Sequence, residues 1–247
     1  MTLAVVIPAY NEEARIARTL EELSDRAAHL DISEVLVVDD GSADRTAELV
    51  REVAARSTTP QVRLIQHEHN RGKGAALRTG LLAAEAELVG YLDADLSVPP
   101  ASFEAARRLI EGGADVVVGA RVSTRGEALR RGQPLLRRIL GQMFVATQHR
   151  IVGLPQRDTQ CPFKVLTRDS ARAVAGQCTV DGWAIDVELL LVAQRQGRRI
   201  EELPVEWRHV DGSRLHSDPL TAWRTLRELM AIRREHRAIE RAPERAS

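Results

Sequence analysis

Two aspartates separated by one residue, Asp93 and Asp95, are the clearest candidates for chemistry in this sequence. They follow an apolar run at residues 87–92, which predicts a buried strand. Side chains two residues apart on a strand point to the same side, so both carboxylates should project together from its end. Paired carboxylates suit Mg²⁺ or Mn²⁺ carrying a phosphate. We therefore expect a divalent metal site here, with Asp95 as the preferred direct ligand and Asp93 as a ligand of the metal or of a ribose.

Two other polar segments follow predicted strands in the first half of the chain. Residues 8–13 (PAYNEE) follow an apolar run at 3–7, and residues 39–42 (DDGS) follow a run at 35–38. In parallel sheets, ligands bind beyond the carboxyl ends of the strands, so three such ends predict a nucleotide–metal site at one sheet edge. Tyr10 is a candidate for stacking on a base, and Glu12 for contacting the base or ribose. Both segments also suit plain helix starts and turns.

The loop at residues 70–74 (NRGKG) precedes a predicted helix. Small residues, the cation Lys73 and free N–H groups at a helix start together favour a phosphate cradle. The spacing differs from that of a P-loop, so the loop does not imply ATP hydrolysis. A glycine-rich surface turn is the alternative interpretation.

Composition limits the classes of function. The chain has 247 residues, 44% of them hydrophobic, and a formal net charge of zero, which gives no global signal for nucleic-acid binding. Two cysteines, Cys161 and Cys178, favour reduced thiols in a cytoplasmic protein over a disulfide framework. The sequence shows no signal peptide and no apolar run of roughly 18–20 residues, so we expect a soluble or peripheral protein.

The neutral total hides an uneven distribution of charge. Residues 121–150 contain seven arginines and one glutamate, and residues 219–247 contain seven arginines and four glutamates. Acidic groups at one place and guanidinium groups at another suit an enzyme that binds a metal–nucleotide and a second anion.

Strand and helix patterns alternate along the first half of the chain. Strands are predicted at residues 3–7, 34–38, 62–66, 88–92 and 115–119, and helices at 12–29, 43–56, 73–84 and 100–111. This alternation indicates βαβ units and a parallel sheet. The second half is less regular: a loop at 121–133, helices at 135–151 and 184–196, strands at 161–166 and 199–209, and an arginine-rich helix at 219–240.

Two segments of the second half carry candidate polar side chains. Residues 158–160 (DTQ) run directly into a predicted strand, which also suits an edge-strand entrance. Trp183, followed by Asp186 and Glu188, is placed to begin a helix at the mouth of the site, although an aromatic side chain is more often part of a core.

Ordered motifs give the chain a family resemblance. The segments VVIPAYNEE, VVDDGSADRT, NRGKGAALRTG and YLDADLSVPP resemble those of family 2 glycosyltransferases of the GT-A type. The segments GAR (119–121), RDTQCPFKVLTR (157–168), GWAIDVELL (182–190) and VEWRHVDGSRL (205–215) are similar to the dolichyl-phosphate glucose synthase group, whose near relatives are dolichyl-phosphate mannose synthases. The chain departs from this group at Pro162, where glycine is common, and in having no apolar membrane anchor.

The resemblance implies a GT-A (Rossmann-like) α/β fold, with a mixed, mostly parallel sheet flanked by helices in a single domain. That domain would span residues 1–240, with a nucleotide-sugar-binding half at 1–120 and an acceptor-binding half at 121–240. Residues 241–247 would form a disordered tail. The helix at 219–240 would either dock on the sheet or lie on an anionic membrane surface, which gives peripheral contact at the inner face of a membrane.

The implied reaction is the inverting transfer of a hexose from a nucleotide sugar to a polyprenyl or dolichyl monophosphate, with Mg²⁺ or Mn²⁺. Glucose from UDP-glucose is the preferred donor, and mannose from GDP-mannose the alternative. The implied catalytic residues are Asp93, Asp95 and Asp158. Nucleotide-sugar binding is implied for Pro8, Tyr10, Glu12, Asp39, Asp40, Lys73, Asp93 and Ala94. The acceptor phosphate is assigned to Arg121, Arg137 and Arg214, and the sugar or acceptor pocket to Gln160, Trp183 and Asp186.

Three rival functions share part of this pattern. A glycosyltransferase with a water-soluble acceptor, such as a sugar or phosphoglycerate, needs no membrane contact. A nucleotidyltransferase also uses acidic strand ends and a metal, but it usually has a glycine-rich first turn. A non-catalytic partner protein would keep the fold without needing the paired aspartates.

Overall fold

The computed structural model describes residues 1–122, 153–208, 224–225, 227–232 and 234. The strands are β1 (Leu3–Ala9), β2 (Ile32–Asp39), β3 (Gln61–Gln66), β4 (Leu88–Leu92), β5 (Val116–Val122), β6 (Phe163–Thr167) and β7 (Ile200–Glu206). The helices are α1 (Ile16–Leu30), α2 (Thr46–Arg56), α3 (Lys73–Ala83), α4 (Ser102–Glu111), α5 (Arg168–Ala175) and α6 (Ile185–Arg195). Residues 224–225, 227–232 and 234 are also helical and are called the C-terminal helical segment below.

All seven strands join one sheet in the order β3-β2-β1-β4-β6-β5-β7. Strand β6 runs antiparallel to both of its neighbours, β4 and β5, whereas the other neighbouring pairs are parallel. The structure thus confirms the mixed, mostly parallel sheet flanked by helices.

The antiparallel strand brings the two halves of the chain to the same sheet edge. Leu92 at the end of β4 is paired with Phe163 at the start of β6, and Val118 of β5 is paired with Lys164. Because β6 runs against its neighbours, the residues that precede it lie where β4 and β5 end. Residues 93–95, 119–121 and 158–162 therefore meet at this edge.

Each face of the sheet carries a hydrophobic core. Alternate residues of β1 point to opposite faces, so Val6 packs with α3, α5 and α6, while Ile7 packs with α1, α2 and α4. Leu3 to Ile7 are all at most 1% exposed, which explains why this strand is a continuous apolar run.

Local sequence signals place most elements within a few residues, with two informative differences. Strand β6 begins at Phe163 instead of 161, because Pro162 has no N–H to donate to a neighbouring strand. The eight-residue helix α5 was not predicted; the side chain of Thr167 caps it by accepting the N–H of Ser170. The helix predicted at 135–151 and the tail at 241–247 lie outside the described residues.

The C-terminal helical segment is docked on the protein. Leu229 and Ile232 are at most 1% exposed and belong to the core cluster that contains α3 and α6. Met230, the residue after Leu229, is 51% exposed. None of the helices among the described residues combines the length and apolar character that a membrane crossing requires.

Candidate active site

A cleft of about 250 Å³ opens at the sheet edge where β1 and β4 end. Nine residues that the sequence singled out line this cleft, namely Pro8, Tyr10, Glu12, Asp40, Lys73, Asp93, Ala94, Asp95 and Trp183. The lining also includes Ala9, Arg15, Asn70, Gly72 and Ala76. Apart from Trp183, the lining residues all come from the first half of the chain. Nucleotide-sugar binding by that half remains a prediction.

The turn that carries the paired aspartates is held from two sides. Asp95 accepts the backbone N–H of Ser97 at 2.9 Å through Oδ1, which closes the turn locally. From helix α1, the hydroxyl of Thr19 donates to the carbonyl of Ala94 at 2.6 Å. The side chains of Asp93 and Asp95 on either side of Ala94 are therefore presented to the cleft by a fixed backbone.

Lys73, the first residue of α3, supplies positive charge to the cleft. Its ammonium nitrogen lies 2.7 Å from Asp93 Oδ1 and 5.3 Å from the centre of the Trp183 ring. Burial by itself lowers the pKa of Lys73, but the carboxylates of Asp93, Asp186 and Asp95 outweigh it and raise the pKa above its ordinary value. Lys73 is consequently a cation throughout the neutral range.

Three carboxylates, those of Asp93, Asp95 and Asp186, act on the single ammonium group of Lys73 in this part of the cleft. Burial raises the pKa of Asp93, and the nearby Asp95 and Asp186 carboxylates act in the same direction, against the opposing effect of Lys73. A site with this excess of carboxylate favours a divalent cation.

The residues present fit a Mg²⁺ or Mn²⁺ ion that shares its coordination with a substrate. Among the described residues, the second carboxylate oxygen of Asp95 makes no hydrogen bond or ion pair. In this part of the chain no group of three or more His, Cys, Asp and Glu side chains forms a complete metal site. A metal here would therefore take one or two carboxylates, with phosphate oxygens and water as its other ligands, as Mg²⁺ commonly does.

The loop after β1 is locked to the loop after β2. Asn11, whose backbone has a left-handed φ of 50°, donates its N–H to Ser42 Oγ at 2.7 Å and accepts the N–H of Ala43 at 2.8 Å through its side chain. Glu12 donates its N–H to Thr46 Oγ1 at 2.7 Å. These contacts fix one wall of the cleft.

Two side chains of that wall reach the cleft. Tyr10 is 39% exposed, as an aromatic ring available for stacking should be. The Glu12 carboxylate is paired with Arg15 at 3.0 Å, so any contact of Glu12 with a ligand would be shared with this guanidinium. Arg15 was not predicted as a site residue, although its i,i+3 spacing from Glu12 at a helix start was a usable signal.

The two aspartates after β2 have different environments. Asp40 lines the cleft, but its carboxylate accepts the N–H groups of Arg71 at 3.0 Å and Gly72 at 2.7 Å, so it also shapes the loop before α3. Asp39 is fully buried, accepts the side chain of Gln66 at 3.0 Å and does not line the cleft. Nucleotide binding by Asp39 and Asp40 remains a prediction.

Contrary to the expectation, the N–H groups of Arg71, Gly72 and Gly74 in the 70–74 loop are not free. The N–H groups of Gly74 and Ala75 donate to the carbonyl of Asp181 at 2.8 and 3.3 Å, in addition to the bonds from Arg71 and Gly72 described above. The start of α3 is thus covered by another part of the chain. A phosphate in the cleft would meet the Lys73 side chain and not a ring of backbone donors.

Arg121, predicted for the acceptor phosphate, is paired with Asp158, predicted as a catalytic residue. The guanidinium donates from Nε and Nη2 to the two carboxylate oxygens at 2.6 and 2.8 Å, and the Arg121 backbone N–H adds a contact of 3.1 Å. Burial lowers the pKa of Arg121, but the carboxylate of Asp158 outweighs this effect and raises it.

The residues predicted for the acceptor phosphate, together with Asp158 and Gln160, lie away from the cleft or outside the described residues. Neither Arg121, Asp158 nor the half-buried Gln160 lines the cleft, although all three lie at the same sheet edge. Arg137 and Arg214 fall outside the described residues, so their role stays a prediction.

A buried ionic cluster lies beside the cleft. The ammonium group of Lys164 donates to Asp186 Oδ1 at 2.6 Å and to the carbonyls of Thr159 and Cys161 at 3.2 and 3.1 Å. The hydroxyl of Tyr91 donates to the same Asp186 oxygen. Burial raises the pKa of Asp186, but the nearby ammonium groups outweigh it and hold the pKa below its ordinary value.

The cluster contains one residue that was predicted for the site, Asp186, and one that was not, Lys164. Asp186, predicted for the sugar or acceptor pocket, is 3% exposed and does not line the cleft. Lys164 was not predicted as a site residue. The usable signal was composition, since the chain contains two lysines, Lys73 and Lys164, in a sequence that otherwise uses arginine.

Both cysteines are free thiols, as the sequence predicted, and the structure shows that both are buried. Burial raises the pKa of Cys161 to about 12 and also raises that of Cys178. Neither side chain is therefore a thiolate nucleophile at neutral pH.

Solved structures share this fold. Glucosyl-3-phosphoglycerate synthase from Mycobacterium tuberculosis, in complex with Mn²⁺, UDP-glucose and phosphoglyceric acid, has a TM-score of 0.69 and 20% identity, over 94% of this chain and 79% of that chain. Its complex with Mg²⁺ and UDP has a TM-score of 0.61 and 21% identity, over the same shares of 94% and 79%. The likeness confirms the expected GT-A fold.

Sequence comparison identifies relatives of this chain. Dolichyl-phosphate beta-glucosyltransferases ALG5A and ALG5C of Trichomonas vaginalis are 35% and 37% identical to it, over 86% and 85% of this chain and 68% and 65% of theirs. Dolichyl-phosphate beta-glucosyltransferase of Homo sapiens is 33% identical, over 94% of this chain and 74% of that protein. The family model for glycosyl transferase family 2 matches residues 4–174, and the chain therefore belongs to that family.

Proposed function

We propose that this chain is a metal-dependent, inverting glucosyltransferase that moves glucose from UDP-glucose to the phosphate of a dolichyl or other polyprenyl phosphate. The observation that carries this proposal is the cleft in which Asp93, Asp95 and Lys73 converge at the ends of β1 and β4. The similarity to dolichyl-phosphate beta-glucosyltransferases supports glucose and a lipid phosphate, and UDP-glucose in a protein of the same fold supports the donor.

On the donor side, the described residues offer the groups that a nucleotide sugar needs. Asp95 would ligate the metal and Asp93 would ligate the metal or the ribose, while Lys73 would approach the diphosphate. Tyr10 and Glu12 would contact the nucleoside along the wall formed by the loop after β1. A bound Mg²⁺ or Mn²⁺ would stabilise the charge that develops on the leaving UDP.

On the acceptor side, the nucleophile is a phosphate oxygen that is already ionised at neutral pH. A phosphate monoester has its second pKa at about 6, so it is largely a dianion at neutral pH and needs no strong general base. One phosphate oxygen attacks C1 of glucose from the face opposite UDP. The bond between C1 and the UDP oxygen breaks, UDP leaves with the electron pair, and the configuration at C1 inverts.

The main electrostatic task is to bring this dianion near a second charged group. Arginine suits that task because its fork matches phosphate oxygens. The contacts with Asp158 use Nε and Nη2 of Arg121 and fix the orientation of the guanidinium, which carries further N–H donors for a phosphate. We propose Arg121 as an acceptor-phosphate residue and Asp158 as the residue that orients it, with Arg137 and Arg214 as additional candidates.

A donor and acceptor panel tests the proposal. Purified protein with Mn²⁺ is incubated with UDP-glucose, GDP-mannose, UDP-galactose or UDP-N-acetylglucosamine, each with a polyprenyl phosphate or with 3-phosphoglycerate. We expect a glucolipid from UDP-glucose and the polyprenyl phosphate. A mannolipid from GDP-mannose would replace the proposed sugar, and a product with 3-phosphoglycerate alone would replace the proposed acceptor.

A further inference from the structure

A short bridge, residues 181–184, joins the start of α3 to the C-terminal helical segment. At one end, the carbonyl of Asp181 accepts the N–H groups of Gly74 and Ala75 at 2.8 and 3.3 Å. At the other end, the N–H of Ala184 donates to Glu228 Oε2 at 3.0 Å. The bridge therefore has one anchor beside Lys73 and one on an element far along the sequence.

Trp183 is the residue of the bridge that reaches the cleft. Its ring centre lies 5.3 Å from the Lys73 ammonium nitrogen, and its side chain is 38% exposed. A cation over an indole ring is an attractive arrangement, but it depends on the ring being held in place. The backbone on both sides of Trp183 is fixed by partners outside the bridge.

Glu228 caps the N-terminus of helix α6, although it lies far from that helix in sequence. Helix α6 begins directly after Ala184, which makes no side-chain capping bond of its own. A carboxylate at this position interacts favourably with the helix dipole and satisfies backbone N–H groups that the helix leaves unpaired. Burial raises the pKa of Glu228, and hydrogen bonds from the N–H groups of Ala184 and Trp183 oppose that shift.

The contact between Glu228 and the bridge leaves no spare room. A methyl group on Gly182 would lie only 1.9 Å from Glu228 Oε1, closer than any non-bonded contact allows. The three atoms nearest to such a methyl group all belong to the Glu228 carboxylate, so an alanine here would displace that carboxylate first. The C-terminal helical segment that carries Glu228 is itself anchored by the buried Leu229 and Ile232.

We propose that Glu228 is a positioning residue for the donor cleft. By holding residues 182–184, it keeps the Trp183 ring against Lys73, and it thereby couples the C-terminal helical segment to the cation beside the paired aspartates. The inference about Trp183 stands on geometry alone, whereas its effect on donor use rests on the proposed function.

The direct test follows the indole N–H signals of the tryptophans by NMR in protein labelled with ¹⁵N-tryptophan. Glu228→Ala and Gly182→Ala should both shift the Trp183 signal and leave that of Trp207 in place. Glu228→Gln keeps the shape of the side chain and should give a smaller shift. Met230→Ala, an exposed neighbour on the same helical segment, is the matched control and should shift neither signal.

The kinetic arm separates positioning from general loss of structure. Glu228→Ala and Gly182→Ala each lose one helix-cap contact. We expect KM for UDP-glucose to rise by about fivefold in each variant and kcat to change by less than about twofold. Glu228→Ala and Gly182→Ala break the same contact, so their effects on KM should not multiply in the double variant. Thermal melting of every variant serves as the control that each one is folded.

The outcomes are distinguishable. An unmoved Trp183 signal in folded Glu228→Ala and Gly182→Ala would overturn the inference, as would a double variant whose effects multiply. If the unmodified protein transfers no glucose, the proposed function fails, yet the Trp183 signal still decides whether Glu228 positions the ring.

Discussion

Lys164 and Asp186 form an ion pair of 2.6 Å in which the two side chains are only 1% and 4% exposed. The Lys164 ammonium group also donates hydrogen bonds to two carbonyls of the segment before β6. The Asp186 carboxylate also accepts the hydroxyl of Tyr91, which lies two residues before Asp93. This pair therefore braces the segment before β6 against strand β4, which leads into Asp93 and Asp95.

Removing the lysine should destabilise the protein strongly. Lys164→Met leaves the Asp186 carboxylate buried without its cationic partner. Breaking a buried ion pair in this way lowers the free energy of unfolding by about 3–5 kcal/mol. Tyr91→Phe removes one hydrogen bond to the same carboxylate but leaves the Lys164 partner in place, so it should cost less, about 1.5–3 kcal/mol. Urea unfolding of both variants gives the comparison, and a Lys164→Met variant as stable as the unmodified protein would contradict the bracing role.

The buried thiols should be unreactive in the folded protein. An ordinary cysteine is half ionised at a pH of about 8.5. The raised pKa of Cys161, about 12, keeps its thiol protonated at pH 8, and reactivity should increase only as the pH rises toward that value. With a disulfide reagent at pH 8 we expect slow reaction in the native state and reaction of both Cys161 and Cys178 after denaturation. Rapid native labelling of Cys161 would show that the site is more open than described.

The pairing of Arg121 with Asp158 predicts a selective effect on the acceptor. Arg121→Ala should raise KM for polyprenyl phosphate by about tenfold while leaving KM for UDP-glucose unchanged, because a charge-assisted hydrogen bond to phosphate is worth about 1.5–3 kcal/mol. Asp158→Asn removes the charge that orients Arg121, so the two substitutions should be non-additive.

Two further variants sharpen the test of Arg121. Arg121→Lys should not restore acceptor use, since a single ammonium group cannot keep both contacts with Asp158. Arg56→Ala, an exposed arginine at the end of α2, is the matched control and should change neither KM. Equal effects of Arg121→Ala on donor and acceptor would argue against a role in acceptor binding.

A lipid acceptor requires contact with a membrane surface, and the arginine-rich C-terminal region suits anionic lipid. We expect the protein to bind liposomes that contain anionic phospholipid at low salt and to be released by salt, because exposed charges are screened as the ionic strength rises. Flotation with anionic and with purely zwitterionic liposomes measures this binding. Absence of binding to anionic liposomes at low salt would count against direct membrane contact.

The cleft was largely predictable because its signals are local. A buried apolar run followed by acids places carboxylates at a strand end, and the parallel order of β1, β2 and β4 then brings those ends together. Tyr10 and the paired aspartates are each found within a few residues of such a run, and Lys73 lies at the start of a helix, after a glycine-containing loop. Trp183, which lies far from these residues in sequence, was singled out as a residue at a helix start, and the family resemblance then placed it in the sugar or acceptor pocket.

The remaining features depend on contacts between distant segments. Nothing around residue 164 indicates that this lysine will be buried, because its partner Asp186 lies 22 residues away. The 70–74 loop has the composition of a phosphate cradle, but its N–H groups donate to the carboxylate of Asp40 and to the carbonyl of Asp181, which are both distant in sequence. Likewise, the cap that Glu228 provides for α6 joins residues 44 positions apart.

The most direct test of the central claim measures glucolipid and UDP formation from UDP-glucose and a polyprenyl phosphate, with Mn²⁺ and after its removal by a chelator. We expect the two products in equal amounts, only with metal, and a fall in rate of about 10²–10³-fold in Asp95→Asn, which removes charge from the proposed metal site but keeps its shape. Asp25→Asn, an exposed residue of α1, should be fully active. Glucolipid formation that persists in the chelator or in Asp95→Asn would contradict the account.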